Sequence, residues 1–336
     1  MGSSTDSPAP PSAEFLAAFA ARAGAAGALS FADFMDLALY HPALGYYRRE
    51  HPRVGTGAGT DFYTASTSGP VFGEMIAAAA ATLLAGADPA GCTFVEIGAE
   101  PGGGVLAGVA HPFSAVRTVR IGEPLALAGR CVVFSNELFD AQPLRRFVVR
   151  GGRWRELGVA RERDALVEIE LPAEPEPAAL AALPAVADTP DGYGFDAPLA
   201  ATRLLEQIAA QPWTGVFLAC DYGKSWRELA EACPAGTVRA YFRHTQTNDL
   251  LARPGEQDLT GHVCWDWLAG ALARHGFAEP GMETQEVFFV RHAARLLEQI
   301  TTAEAARFSP RKLALLQLLH PSHLGQKFQV LHALRS

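Results

Sequence analysis

Short apolar runs alternate with longer amphipathic segments over most of the chain after residue 91. Runs of this length predict strands that are covered on both faces of a sheet, and the segments between them predict helices. The predicted strands cover residues 94–97, 116–121, 131–135, 216–220, 238–242, 287–290 and 327–331. The predicted helices cover residues 199–209, 225–232, 264–274, 293–300 and 311–319. This alternation predicts an α/β fold with a mostly parallel, doubly wound sheet.

The pattern changes before residue 91 and again between residues 144 and 198. Residues 1–12 are rich in Ser and Pro and predict a disordered tail. Residues 13–90 predict a helical region with helices at 13–28, 31–40 and 71–84. The pair Gly151-Gly152 predicts a hairpin of strands 146–150 and 153–159, followed by a strand at 166–171 and a loop over 172–198. We therefore expect an α/β domain over residues 91–336 with an insertion around 144–198.

Composition and charge exclude several classes of function. The chain has 336 residues, of which 49% are hydrophobic and 19% charged, so it is long enough to bury a large core. Its net charge of −8 does not favour nucleic-acid binding, which requires neutralisation of phosphates. The apolar run at 75–85 is too short to span a membrane, and no signal peptide is recognisable, so a cytoplasmic location is expected. Apolar residues at 313–319 leave a homodimer interface or a core helix open.

The cysteines predict buried side chains in a reducing compartment. There are five, and none forms a C-x-x-C pair. Cys92, Cys131 and Cys220 lie in or beside apolar runs, where a small hydrophobic side chain packs well. We therefore expect no structural zinc and no other metal site.

A glycine-rich turn follows the first predicted strand of the α/β domain. Glu96 lies near the end of that strand, and Gly98, Gly102 and Gly104 follow it. Glycines at this position let backbone N–H groups approach a nucleotide-like cofactor closely. An ordinary strand-to-helix turn is the alternative, because one glycine-rich turn is a weak signal.

Carboxylates follow two other predicted strands. Glu137 and Asp140 come after the strand at 131–135, and Asp221 comes after the strand at 216–220. Two carboxylates at one sheet edge can hold a guanidinium and accept its proton. Capping of the next helix or turn is the alternative for these residues. Asp258 and His262 form a fourth candidate group, for which a surface or capping role is the simpler interpretation.

Taken together, these segments resemble the MidA-like methyltransferases, which include the mitochondrial complex I assembly factor that methylates arginine. The matching segments keep their order over residues 30–334. In chain order they are Phe34-Met35, Leu39-Tyr40-His41-Pro42, Gly45-Tyr46-Tyr47, Gly59-Thr60-Asp61-Phe62-Tyr63-Thr64, Phe72-Gly73-Glu74, Val95-Glu96-Ile97-Gly98, Asn136-Glu137-Leu138-Phe139-Asp140-Ala141, Asp221-Tyr222-Gly223, Asp258-Leu259-Thr260, His262-Val263, Leu324-Gly325 and Phe328.

The resemblance implies a Rossmann-type methyltransferase sheet with S-adenosylmethionine as methyl donor and a protein side chain, arginine by this resemblance, as acceptor. It implies that Glu137 and Asp140 are catalytic residues on the acceptor side. The cofactor-binding residues that it implies are Glu96, Gly98, Gly102, Gly104, Asp61, Thr64 and Asp221. Asp61 and Thr64 would belong to a loop that closes over the donor, and Asp221 would line the pocket.

The sequence departs from the family in its cofactor region. The glycine turn is two residues longer than the family's and contains Glu100, and Cys264 stands where the family has an acid. Residues 105–130 are too few for two complete strand–helix units. The second strand is therefore expected to be missing, and Glu123, which follows the strand at 116–121, is the only acid in the segment.

Two hypotheses about function follow. The chain is either an active S-adenosylmethionine-dependent methyltransferase, or a degenerate member that binds the donor weakly or not at all. The degenerate member would act as a protein-binding or assembly module. A nicotinamide dehydrogenase is disfavoured, because the glycines do not have the G-x-G-x-x-G spacing.

Overall fold

The computed structural model describes residues 10–49, 69–100, 103–304 and 309–336. The strands are β1 Ala28–Ser30, β2 Thr93–Ile97, β3 Ala115–Val119, β4 Gly129–Asn136, β5 Arg145–Arg150, β6 Arg153–Glu162, β7 Ala165–Glu170, β8 Gly194–Ala197, β9 Trp213–Asp221, β10 Gly223–Lys224, β11 Arg239–Phe242, β12 Thr245–Thr247, β13 Asp258–Thr260, β14 Val263–Cys264, β15 Ala278–Thr284 and β16 Gln329–Arg335. The α-helices are α1 Ala13–Ala23, α2 Phe31–Tyr40, α3 Pro70–Leu83, α4 Pro177–Leu180, α5 Leu199–Ala209, α6 Trp226–Ala232, α7 Trp265–Arg274, α8 Gln285–His292, α9 Ala294–Ala303 and α10 Pro310–Leu319.

A central sheet has the strand order β15-β16-β9-β4-β2-β3 within the described residues. Strands β3, β2, β4 and β9 run parallel to one another. Strand β16 is antiparallel to β9, and the edge strand β15 is antiparallel to β16. The predicted α/β fold with a mostly parallel sheet is confirmed. The predicted strand at 238–242 lies instead in a small sheet formed by β12, β11 and β13.

Helices cover both faces of the central sheet, which explains its apolar strands. Phe94 and Val132 pack on one face with helices α3, α8 and α10, and Val95 and Val133 pack on the other with α5 and α7. Alternate residues of one strand thus belong to two cores. Cys92, Cys131 and Cys220 are buried and free, as the sequence predicts.

The N-terminal region and the predicted insertion share a second sheet. Its order is β1-β6-β5-β8, with β7 pairing to β6, within the described residues. Gly151 and Gly152 adopt φ of +57° and +70°, which gives β5 and β6 the twist of a tight hairpin. The predicted hairpin is confirmed. Helix α2 begins at Ser30, whose side chain accepts a hydrogen bond from the Asp33 amide and caps the helix.

Residues 287–290 were expected to form a strand, and this prediction is wrong. They lie in helix α8, which begins at Thr284, where the side chain accepts a hydrogen bond from the Val287 amide. Val287 and Val290, three positions apart, are exposed, while Phe288 and Phe289 are buried. This spacing is helical, but four consecutive apolar residues do not distinguish it from a strand. The strand in this region is β15, which precedes α8 and has a register irregularity between Ala278 and Gly281.

The expectation that the second strand is missing is also wrong. The first strand of the parallel series is β2, and β3 pairs with it in parallel at the edge of the sheet. This is the place of the second strand in the series. The connections to it are what is shortened: residues 103–114 and 120–128 contain turns and no helix. The chain therefore keeps the strand and omits the helices that would flank it.

Within the described residues, none of the helices has the length and apolar character that a membrane crossing requires. Helix α10 buries Leu315 and Leu318 and leaves Leu313 and Leu316 partly exposed. The cytoplasmic location and a homodimer through residues 313–319 stay predictions.

Candidate active site

A cavity of about 1590 Å³ opens at the carboxyl ends of the parallel strands, where ligands bind in open α/β sheets. This exceeds the roughly 300–1,000 Å³ of a pocket for one small ligand. We divide its wall into two parts. The glycine wall is formed by Glu96, Gly98, Gly103, Gly104, Val105, Val119, Glu123 and Leu125. The carboxylate wall is formed by Tyr40, Tyr47, Glu137, Asp140, Tyr222, Tyr241, Asp258 and His262.

Glu96 orders the glycine turn. Its Oε2 accepts a hydrogen bond from the Val105 amide at 2.6 Å. A Cβ on Gly104 would lie 2.5 Å from that oxygen and 2.8 Å from Thr118 Cγ2, so only glycine permits this contact. Burial raises the pKa of Glu96 to about 7, against the opposing effect of the Val105 hydrogen bond. The strand-end acid thus fixes the turn from beneath.

Gly98 turns the chain away from β2. Its φ of +84° lies in the left-handed region, and a Cβ there would lie 3.0 Å from Leu138 Cδ1. Its amide donates to the Val119 carbonyl at 2.9 Å, so the end of β2 is tied to the end of β3. This contact places the glycine turn directly beside the residues that follow β3.

Glu123 follows β3 and faces the cavity. Its Oε2 accepts a hydrogen bond from the Arg120 amide at 2.8 Å, which closes a turn directly after β3. In nucleotide-binding α/β sheets, the acid after the second strand holds ribose hydroxyls. Because β3 is the second strand of the parallel series, Glu123, the first acid after it, is the candidate for that position.

The loop after β4 carries the carboxylate wall. Glu137 has φ of +50°, a conformation that non-glycine residues adopt mainly at constrained or functional positions. Its amide donates to the Cys220 carbonyl at 2.9 Å, and its Oε1 accepts from Asn136 Nδ2 at 2.9 Å. Burial and the neighbouring Asp221 raise the pKa of Glu137 well above its ordinary value.

Asp221 supports this loop from below. Its side chain is fully buried, with Oδ2 accepting from the Phe139 amide and Oδ1 from the Tyr222 amide, both at 2.8 Å. Burial raises its pKa to about 7 despite these hydrogen bonds. The expectation that Asp221 lines the pocket is not met, because it lies behind the lining residues and instead positions Glu137 and Asp140.

Two further carboxyl groups complete the wall. Asp140 is 4% exposed, and its pKa is raised well above the ordinary value by burial and then by Asp221, Glu137 and Asp258. Its Oδ1 is buried without a hydrogen-bond partner in the described part of the chain. Asp258 Oδ1 accepts from the Tyr47 hydroxyl at 2.9 Å. These groups repel one another when ionised, so a cationic guest is the group that relieves the repulsion.

Comparison with known proteins identifies the family. Residues 115–282, half of the chain, match the family described as "Putative S-adenosyl-L-methionine-dependent methyltransferase". The chain belongs to this family. S-adenosylmethionine is therefore the cofactor of its family, as the sequence predicts. The match includes Glu123, Glu137, Asp140, Asp221 and Asp258.

Solved structures of two COG1565 superfamily proteins from Burkholderia thailandensis are similar to the chain. One, bound to S-adenosyl-homocysteine, is 26% identical with a TM-score of 0.81, covering 98% of this chain and 95% of that one. The other, a native structure of an uncharacterized protein, is 24% identical with a TM-score of 0.77 and the same coverage. A search of curated proteins found no match. The resemblance to MidA-like proteins in particular is not tested by these comparisons.

The methyltransferase cavity brings together most of the predicted site residues. Glu96, Gly98, Gly104, Glu137 and Asp140 all line it. Asp61, Thr64 and Gly102 lie outside the described residues.

Sequence reasoning gave no site role to the aromatic part of the carboxylate wall. Tyr40 stacks on Tyr47 with ring centroids 5.5 Å apart, and the Tyr40 hydroxyl donates to the Ala141 carbonyl at 2.8 Å. Burial, with Lys224 and Arg239 nearby, lowers the pKa of His262 to about 4, so this cavity-lining imidazole is neutral at pH 7. Tyr46 and Tyr47, the two adjacent tyrosines in the turn after α2, were the available signal in the sequence.

Proposed function

We propose that the chain is an active S-adenosylmethionine-dependent methyltransferase whose acceptor is an arginine side chain of a protein. The observation that carries the proposal is the pairing of two walls across one cavity. One wall offers glycine backbone and the acid after β3, and the other offers carboxyl groups that repel one another. The cavity volume accommodates a donor and an inserted side chain together.

The glycine wall is suited to the donor. Bound S-adenosylmethionine would supply an electrophilic methyl group on a positively charged sulfur. Gly98 and Gly104 bring backbone to the cavity wall, and Glu123 is placed to accept hydrogen bonds from ribose hydroxyls. The Burkholderia thailandensis structure bound to S-adenosyl-homocysteine supports S-adenosylmethionine as the donor, because its fold matches over 98% of the chain.

The carboxylate wall is suited to a guanidinium. A planar guanidinium offers paired N–H donors, which suit the carboxyl oxygens of Glu137 and Asp140. Burial and the neighbouring Asp221 raise the pKa of Glu137 above its ordinary value, which makes its carboxylate form a stronger base. We assign Glu137 as the base that takes the proton released when the guanidinium nitrogen is methylated. Asp140 holds the opposite side of the group, and Tyr40 and Tyr47 offer a stacked aromatic surface beside the site.

Calorimetric titration with S-adenosyl-homocysteine tests the donor half of the proposal. We expect one binding site with a micromolar dissociation constant. At 100-fold excess over that constant, the ligand should stabilise the fold by about 2.7 kcal/mol in thermal unfolding. Absence of heat and of a thermal shift at millimolar ligand would favour the degenerate, protein-binding alternative.

Methyl transfer to arginine peptides tests the acceptor half. Glu137→Gln should reduce kcat by about 100- to 10,000-fold, because it removes the proton acceptor, while the affinity for S-adenosyl-homocysteine changes little. The exposed Glu298→Gln is the control and should retain full activity. Transfer to lysine peptides instead of arginine peptides would refute the assigned acceptor.

A further inference from the structure

A second cluster of metal-ligating side chains lies away from the methyltransferase cavity. Glu283 is near the end of β15, His292 ends α8, and His332 lies within β16. One ligand atom from each residue falls within 4.8 Å of the others. None of the three residues lines the cavity described above. We propose that this cluster, the Glu283 cluster, binds a divalent transition-metal ion, with Zn²⁺ as the best match.

The distances suit a metal ion with little rearrangement. His292 Nε2 lies 3.2 Å and His332 Nε2 lies 3.9 Å from Glu283 Oε2. Ligand atoms on a tetrahedral zinc ion are about 3.3 Å apart, given bonds of about 2.0–2.2 Å. Two imidazoles and one carboxylate also form a ligand set that zinc prefers, and a fourth position would be left for water.

The backbone makes room for the His332 ring. In the antiparallel register Gly281 of β15 lies opposite His332 of β16. A Cβ on Gly281 would lie 2.5 Å from both Cε1 and Nε2 of the imidazole. Glycine at this position therefore allows Nε2 to turn toward Glu283. This Nε2 is buried and has no hydrogen-bond partner among the described residues.

Neighbouring residues hold the other ligands in place. Arg291 donates to Glu283 Oε1, which leaves Oε2 to face the histidines. Phe288 packs against both imidazoles, with ring centroids 5.1 Å from His292 and 5.6 Å from His332. Hydrogen bonds and packing around the ligands are what orient a metal site in proteins. A second cavity of about 410 Å³ borders His332.

A metal ion here would join the end of β15, the end of α8 and the last strand. These segments form the edge of the central sheet opposite β3. The site contains no cysteine, so the cysteine spacing, which predicts no zinc, gives no information about it. We assign the ion a structural role that fixes β16 against α8. Without metal, the cluster is held by the hydrogen bond between His292 and Glu283, with Arg291 donating to the same carboxylate.

Calorimetry with ZnCl₂ on chelator-treated full-length protein tests the proposal. We expect one equivalent of zinc to bind, and at 100-fold excess over its dissociation constant to raise Tm by about 3–5 °C. His332→Gln and His292→Gln should each abolish the shift, and Arg291→Gln should weaken binding by about 10- to 100-fold. The exposed His323→Gln is the control and should bind zinc like the unmodified chain.

Anomalous diffraction at the zinc edge on crystals of the unmodified chain gives a result that does not depend on whether the variants fold. A peak between Glu283, His292 and His332 would support the site. Three results would overturn it: no binding at 1 mM ZnCl₂, unchanged binding in both histidine variants, or a peak elsewhere only. S-adenosyl-homocysteine binding serves as an independent readout, because zinc at this site should leave it unchanged. Failure of the metal proposal and failure of the methyltransferase proposal are thereby distinguished.

Discussion

The two walls of the cavity are built in opposite ways. The glycine wall uses backbone, short connections and one buried acid, and the segments around β3 contain no helix in residues 103–114 and 120–128. The carboxylate wall uses side chains brought from distant parts of the sequence and held by buried hydrogen bonds, as in Tyr47 with Asp258. The contrast teaches that one wall of the cavity depends on strand ends and short connections, whereas the other depends on contacts between residues far apart in the sequence.

The largest expected effect on ligand affinity or stability comes from a substitution in the glycine wall. In Gly104→Ala the new Cβ would meet Glu96 Oε2 at 2.5 Å and displace it from the Val105 amide. We expect the affinity for S-adenosyl-homocysteine to fall at least about 100-fold, or about 2.7 kcal/mol. Calorimetry measures this change. Gly91→Ala is the matched control, since no atom lies within 4 Å of its added Cβ, and normal binding by Gly104→Ala would contradict the role of the turn.

The pH dependence of stability separates the two walls. Burial raises the pKa of Glu96 from 4.5 to about 7, so its stabilising contribution is complete below about pH 4.5 and is lost as pH rises through 7. We expect the titration of Glu96 to lower the free energy of unfolding by about 2 kcal/mol between pH 5 and 8. Urea unfolding across this range measures it.

In Glu96→Gln this part of the slope should disappear. The slope that is left reports on the carboxylate wall and its support, where burial raises the pKa of Asp221 from 3.8 to about 7. An identical slope in the variant and the unmodified chain would show that Glu96 titrates normally.

A smaller effect tests whether Glu123 serves the donor. Glu123→Gln should weaken S-adenosyl-homocysteine binding about 10-fold, because a hydrogen bond to a charged acceptor contributes about 1.5 kcal/mol or more. Calorimetry compares it with Glu162→Gln, which is exposed on β6. Equal affinity in both variants would place the ribose elsewhere.

The smallest effect lies in the carboxylate wall. Tyr47→Phe removes the hydroxyl that donates to Asp258 and should lower the free energy of unfolding by about 1 kcal/mol. Tyr241→Phe is the comparison, because its hydroxyl donates to Gln246 at an exposed position and should matter less. Equal urea midpoints for the two variants would contradict the stabilising contribution assigned to the Tyr47 hydroxyl.

Local pattern predicted the features that depend on neighbours in sequence. Continuous apolar runs at 94–97, 131–135 and 216–220 indicated doubly covered strands, and Gly151-Gly152 indicated the hairpin; both are confirmed. Helix α8 was misassigned because its aromatic and β-branched residues favour strands locally, while capping by Thr284 and burial of Phe288 and Phe289 favour a helix.

Features that depend on sheet topology could not be predicted in the same way. Glu123 looked misplaced only because β3 was not recognised as the second strand, which its pairing with β2 establishes. The sequence alone favours a surface or capping role for Asp258, whereas the fold places it against Tyr47. Asp221 was assigned to the pocket from its place at a strand end, yet it faces the backbone of the neighbouring loop.

The hydrogen bond between Tyr47 and Asp258 joins residues separated by 211 positions. A ribosome adds about 5–20 residues per second, so Asp258 is synthesised roughly 10–40 seconds after Tyr47. The strands β2, β3 and β4 emerge during that interval. The carboxylate wall therefore forms only after the nascent chain already contains the glycine turn.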